Sequence, residues 1–259
     1  MHSRLMKPLI RYKNGDFKCT SVIKDLIPPG SIVHSHLLYN GQIELALASE
    51  MRFVCAHTTQ YVVYEFWKCV MDNPQRVHDI ITAGTLKFDN ENMLALLQES
   101  WTSFADPYVR ASLFFILSKC TDEGLISSGK LENRRLSPLS LAYLKKFRPT
   151  NFHVSLNPTD GPFEKISPVE DTDYLLCPVG QFTYNMLDEG KSIGPETTLV
   201  KHATLSEQLQ TLDQRWVVVY KYHPKLLELY KDSRIIQCDQ YGEKTMRQKN
   251  TTEVVIANF

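Results

Sequence analysis

Apolar positions change period along this chain, and the changes mark its elements. Ile32-Val33 opens an apolar run that continues to Leu37-Leu38 and reaches Gly41 through Tyr39 and Asn40. Residues 43–48 (Ile-Glu-Leu-Ala-Leu-Ala) then read as a buried helix, 52–56 as a second strand, and the aromatic-rich stretch up to Asn73-Pro74 as a second helix. This is the succession at the ligand-binding end of a nucleotide-binding α/β domain. There the ligand lies off the carboxyl ends of the strands, a glycine turn lets backbone approach it, and an acid after the second strand holds the ribose hydroxyls. The scaffold is present here without its chemistry, since no Asp or Glu occurs between Met51 and Tyr64.

Other segments extend the pattern. Residues 22–26 form a short helix ended by Pro28-Pro29-Gly30. After Pro74 the spacing is helical alone, over 75–81, 91–101 and 107–120. Prolines at 149, 158, 162 and 168 mark a connection back to strand-forming sequence at 174–179. A helix at 205–212, a central strand at 216–220, a helix at 224–230 and strands at 234–238 and 253–258 complete the chain. The expected architecture is α/β and Rossmann-like, with a discontinuous domain of residues 1–74 and 165–259 and an inserted helical subdomain of residues 75–164.

With 43% hydrophobic and 22% charged residues, the 259-residue chain can bury a large core. Its 29 Lys and Arg balance 29 Asp and Glu, so general attraction to nucleic acid or an anionic membrane is excluded and any such binding needs a local patch. The cysteines at 19, 55, 69, 120, 177 and 238 have no metal-ligand spacing and read as reduced core thiols of a cytosolic protein. No run spans a bilayer, and the amino terminus lacks a signal-peptide core. The histidines are scattered, without ligand spacing.

Residues 35–47 (Ser-His-Leu-Leu-Tyr-Asn-Gly-Gln-Ile-Glu-Leu-Ala-Leu) resemble the pattern E-P-F-x-G-G-G-S-V-x-L-A-L of Dam-type DNA adenine methyltransferases. The apolar frame and the last glycine, Gly41, match. Ser35 stands where the family has its acid, and Tyr39 and Asn40 replace two glycines. Residues 7–18 are similar to the amino-terminal signature P-x-x-[RK]-[YW]-x-G-G-K: Arg11, Tyr12 and Gly15 fit, whereas Asn14 and Asp16 replace Gly and Lys. The dipeptide Asn14-Gly15 also reads as a plain turn. Residues 170–180 resemble the catalytic strand D-F-V-Y-x-D-P-P-Y, with the tetrad on Leu176 to Val179 or on Cys177 to Gly180. Neither register supplies the Asp, Asn or Tyr. The closing E-x-x-I-x-N is present at residues 253–258.

The resemblance implies a methyltransferase fold whose donor and acceptor groups have been exchanged for others. The degenerate donor pocket falls on Tyr12, Gly15, Asp16, Ser35, Tyr39, Asn40 and Gly41, and the degenerate tetrad on Leu176, Cys177, Pro178, Val179 and Gly180. Losing one such preorganised partner costs on the order of a hundredfold to a thousandfold in rate. The expectation is a pseudoenzyme without a cofactor, acting as a binding, subunit or assembly module beside a protein partner such as an active methyltransferase or a larger particle. It would reside in the cytoplasm, a virus particle or an infected cell. The alternatives are a divergent active enzyme using S-adenosylmethionine and a DNA-binding protein without catalysis. Lys130, Arg134, Arg135, Lys145, Lys146 and Arg148, against Glu132 alone, form the candidate phosphate-binding surface or else a solvated helix face. Asp106-Pro107-Tyr108 imitates part of the tetrad, but its place before an amphipathic helix reads as a cap with proline in the first turn.

Overall fold

The computed structural model describes residues 7–84, 91–127, 129–131, 136–156, 171–182 and 200–259. In chain order the elements are a 3-10 turn Lys13–Gly15, α1 (Thr20–Leu26), β1 (Ile32–Ser35), α2 (Gln42–Ala48), β2 (Phe53–Thr58), α3 (Tyr61–Asp72), α4 (Pro74–Thr82), α5 (Glu91–Ser100), α6 (Pro107–Cys120) and α7 (Pro138–Lys145). Then follow β3 (Phe152–Leu156), β4 (Tyr174–Gly180), α8 (His202–Gln210), β5 (Arg215–Lys221), α9 (Lys225–Leu229), β6 (Arg234–Cys238) and β7 (Glu253–Ala257). The strands form one seven-stranded sheet in the order β3-β2-β1-β4-β5-β7-β6. All neighbours are parallel up to β5, and β7 runs antiparallel to both β5 and β6. That is a Rossmann-like sheet, parallel through β5 with β7 inserted antiparallel beside it.

The centre of the sheet is buried on both faces, which is why β4, β5 and β7 read as continuous apolar runs. Pro178 is tolerated in β4 because it lies beyond the last β1 pairing, at Leu176, and beside an irregularity in the β5 register. The second strand begins at Phe53 and not at Arg52, because Arg52 has another task. Its buried guanidinium donates from Nε to Ile27 O (2.9 Å) and from Nη2 to Lys24 O (2.8 Å), satisfying carbonyls at the end of α1. Proline at the first turn and an Asp106 carboxylate accepting from Tyr108 N (2.8 Å) start α6. Asp106 is thus a helix cap.

The expected helical insertion needs a correction at its far end. Residues 152–156, assigned to it from sequence, are β3, an edge strand paired with β2 from Val54↔Phe152 to Thr58↔Leu156. The helices before it pack directly on the α/β layer. Phe66 and Trp67 of α3 meet Phe114 of α6, Phe147 after α7 and Phe152 of β3 through ring contacts of 5.1 to 5.9 Å. Glu65 and Arg110 form a buried, bidentate ion pair across α3 and α6 (Nε to Oε1 2.7 Å). The aromatic face of α3 therefore joins helices and sheet into one core.

Candidate functional site

The carboxyl ends of β1 and β4 face the turn Lys13–Gly15, and the donor site of a methyltransferase-type domain would lie between them. β1 stops at Ser35, and the chain kinks through Leu37, whose φ of 67° is unusual for a non-glycine residue. His36 N still bonds Leu176 O (2.8 Å) and Leu38 N bonds His57 O (2.8 Å), so the turn is fixed to both neighbouring strands. Gly41 precedes α2 at φ 69°, and a Cβ there would come within 3.0 Å of the Trp67 indole. Trp67 donates from Nε1 to Tyr39 O (2.8 Å). The retained glycine serves this packing.

The space the turn faces is filled. Tyr39 and Tyr12 are both buried, with ring centroids 4.0 Å apart. Asn40 donates from Nδ2 to Gly15 O (3.2 Å) and accepts from Gln42 N (3.3 Å), while Gln42 exchanges two hydrogen bonds with the backbone of Phe17. Asn14 lies against Gly180 and accepts from Gln181 N (2.6 Å). The cavity left among Tyr12, Asn14, Tyr39, Asn40, Glu44 and Pro178 measures about 10 Å³. A single water needs about that much, and a small-molecule site takes hundreds of Å³.

Three residues expected in the donor pocket lie outside its lining: Gly41, which packs on Trp67, and Asp16 and Ser35. Asp16 is exposed and pairs with Lys18 at 3.3 Å, because its neighbour Phe17 takes the inward position. Ser35 is fully buried beneath α2, where its hydroxyl donates to Glu44 Oε1 (2.8 Å). Glu44 is the carboxyl that sequence reading missed. It lines the cavity, and burial raises its pKa. Its only signal was an acid inside an otherwise apolar helix. Tyr12, Gly15, Tyr39 and Asn40 do come together.

At the tetrad positions, Leu176, Cys177 and Val179 are core side chains, and burial pushes the Cys177 thiol well above its ordinary value. Such burial disfavours the reactive thiolate. Just beyond, Phe182 stacks between two imidazoles, His202 at 4.5 Å and His223 at 4.7 Å, with His202 Nδ1 3.1 Å from the Tyr220 hydroxyl.

The histidines are less scattered than their spacing suggests. Parallel registers place His34, Cys55 and His153 in one row, with His57 and Ser155 in the next row of the same face. His57 Nε2 is 2.8 Å from His34 Nδ1, Ser155 Oγ is 2.5 Å from His57 Nδ1, and His36 stacks on His57 at 5.2 Å. Burial and the neighbouring imidazoles lower His36 to about 3 and His57 to about 4, and burial lowers His34. The readable signal was the H-x-H at 34–36. No metal-binding group of three His, Cys, Asp or Glu side chains occurs among the described residues.

Of the basic cluster, Lys145, Lys146 and Arg148 are exposed at the end of α7 and Lys130 is exposed in the loop before Leu131, whereas Arg134 and Arg135 lie outside the described residues. Arg148 donates to Phe147 O (2.7 Å). Tyr143 and Phe147 pack on the core. Among the described residues no helix is long and apolar enough to cross a membrane.

No family model matches the chain, and neither does any curated protein. Among solved structures it is similar to a TehB-like S-adenosylmethionine-dependent methyltransferase from Corynebacterium glutamicum, with 9% identity and a TM-score of 0.38 over 93% of this chain and 86% of that one.

Proposed function

We propose that this chain is a retired methyltransferase that serves as a binding or assembly module. The observation that carries the reading is the contraction of the donor site to about 10 Å³ by Tyr12, Tyr39, Asn14 and Asn40. Four side chains that face one another close it, and three of them, Asn14, Tyr39 and Asn40, stand at glycine positions of the resembling family. Support at the acceptor end comes from the apolar side chains of β4 and the sandwiched Phe182. A fold of this type does not by itself carry activity. The partner would be a protein, such as an active methyltransferase or a larger assembly.

The second reading is a divergent active enzyme using S-adenosylmethionine. The strand order and the left-handed Gly41 entry to α2 favour it. It requires Tyr12 and Tyr39 to separate when the donor binds. Incubation with radiolabelled S-adenosylmethionine, duplex DNA and RNA separates the two. The module reading expects no transfer above a heat-treated control, and time-dependent labelling of either nucleic acid would reject it. A DNA-binding role through Lys130, Arg134, Arg135, Lys145, Lys146 and Arg148 is tested by charge reversal at Arg134, Arg135, Lys145 and Lys146. Salt-dependent retention on duplex DNA that these reversals abolish would establish it.

A further inference from the structure

Side chains from three adjacent strands form a hydrogen-bonded line on one face of the sheet. Ser155 Oγ of β3 lies 2.5 Å from His57 Nδ1 of β2, and His57 Nε2 lies 2.8 Å from His34 Nδ1 of β1. Parallel pairing builds the line: His57 is the register partner of Ser155, and His34 is the partner of Cys55 on the same face of β2. When the Ser155 hydroxyl donates, His57 Nδ1 is the bare nitrogen, so the ring proton sits on Nε2 and points at His34 Nδ1 as its acceptor. Ser155, His57 and His34 are all half-buried, so the line reaches the surface. A backbone donor accompanies it. Asn151 O accepts from Val54 N (2.8 Å), and alternation along β3, an edge strand, then turns the amides of residues 152, 154 and 156 away from β2. Leu156 N–H, the amide after Ser155, therefore lies on the outer side of the strand.

We propose that Ser155 is a nucleophile for small carboxylic esters, with His57 as its general base and His34 as the positioning residue. A nucleophile within hydrogen-bond reach of a base that a third group orients is the arrangement such chemistry requires. Ser155 Oγ attacks the ester carbonyl carbon while its proton passes to His57 Nδ1, and Leu156 N–H is the donor this placement offers to the oxyanion. The C–O bond to the alcohol then breaks, and the alcohol leaves with the proton from His57. Water attacks the acyl-serine and gives a proton to His57; the carboxylic acid departs, and that proton returns to Ser155. One ester and one water give one acid and one alcohol. Burial and the imidazoles of His34 and His153 lower His57 to about 4, so at pH 7 the ring is neutral and can accept. So weak a base turns over slowly, and with a good leaving group the acyl-serine accumulates. This inference does not rest on the module reading.

The test is incubation of the full chain with 4-nitrophenyl acetate at neutral pH, followed by peptide mapping and by nitrophenolate release. The expected result is an acetyl group on Ser155 with a matching burst of nitrophenolate. Ser155→Ala should abolish that burst, and His57→Gln should lower its rate at least about tenfold, each with the wild-type tryptophan spectrum. His34→Ala should slow the burst as well, and His34→Asn, which keeps an acceptor near the Nδ1 position, should restore most of the rate. The proposal is overturned if the acetyl groups sit only on other residues, or if folded His57→Gln acetylates Ser155 as fast as the wild type.

Discussion

Acidification tests the packing of His34, His36 and His57 quantitatively. An imidazole whose folded pKa lies below its unfolded value of about 6.5 keeps its full stabilising effect above pH 6.5 and loses it as pH falls toward the folded value. For His36, fully buried and lowered to about 3, the loss at pH 5 is about 2 kcal/mol, from roughly 1.4 kcal/mol per pH unit over 1.5 units. His57, lowered to about 4 and partly open to solvent, adds about 1 kcal/mol after discounting for screening. A total near 3 kcal/mol is a large share of the roughly 5–15 kcal/mol that holds a domain together. The assay is urea unfolding at pH 7.5, 6 and 5, followed through the buried Trp67, Trp101 and Trp216. The midpoint should fall steeply below pH 6.5 in the wild type and much less in a His36→Gln, His57→Gln double variant. Equal falls in both proteins would refute the reasoning, since the acid loss would then come from other groups.

Other perturbations follow from single contacts. Replacing Glu65 by Ala leaves Arg110 charged and unpaired between α3 and α6, and should cost about 3–5 kcal/mol in equilibrium unfolding. Gly41→Ala forces a left-handed alanine against Trp67 and should cost about 1–3 kcal/mol, visible as a lower melting temperature and an altered tryptophan spectrum. Asp106→Ala removes the cap of α6 and the 2.7 Å ion pair with Arg76; thermal unfolding should report a loss of about 1 kcal/mol.

Much of the sheet was legible because strands buried on both faces are written as apolar runs, and Val217-Val218-Val219 and Val254-Val255-Ile256 leave little choice. β3 escaped because its sequence, Phe-His-Val-Ser-Leu, carries polar side chains on an open edge and follows a proline-rich loop pattern. Helix ends were readable where the chemistry is local, as at Asp106-Pro107. The site was legible by its losses: Tyr39 and Asn40 in place of glycines pointed to a pocket either filled or open without charge to hold a ligand. Tyr12 and Asn14 were read with the same site from the amino-terminal signature, whereas Glu44 was not, because it hides in an apolar helix. The row of histidines depends on register between three strands, which no local pattern encodes.

Calorimetric titration of the full chain with S-adenosylmethionine bears most directly on the closed donor site. With Tyr12 stacked on Tyr39 at 4.0 Å, no saturable heat should appear at millimolar ligand. A one-site isotherm in the micromolar range would contradict the account, since the donor would then have room that these side chains deny it.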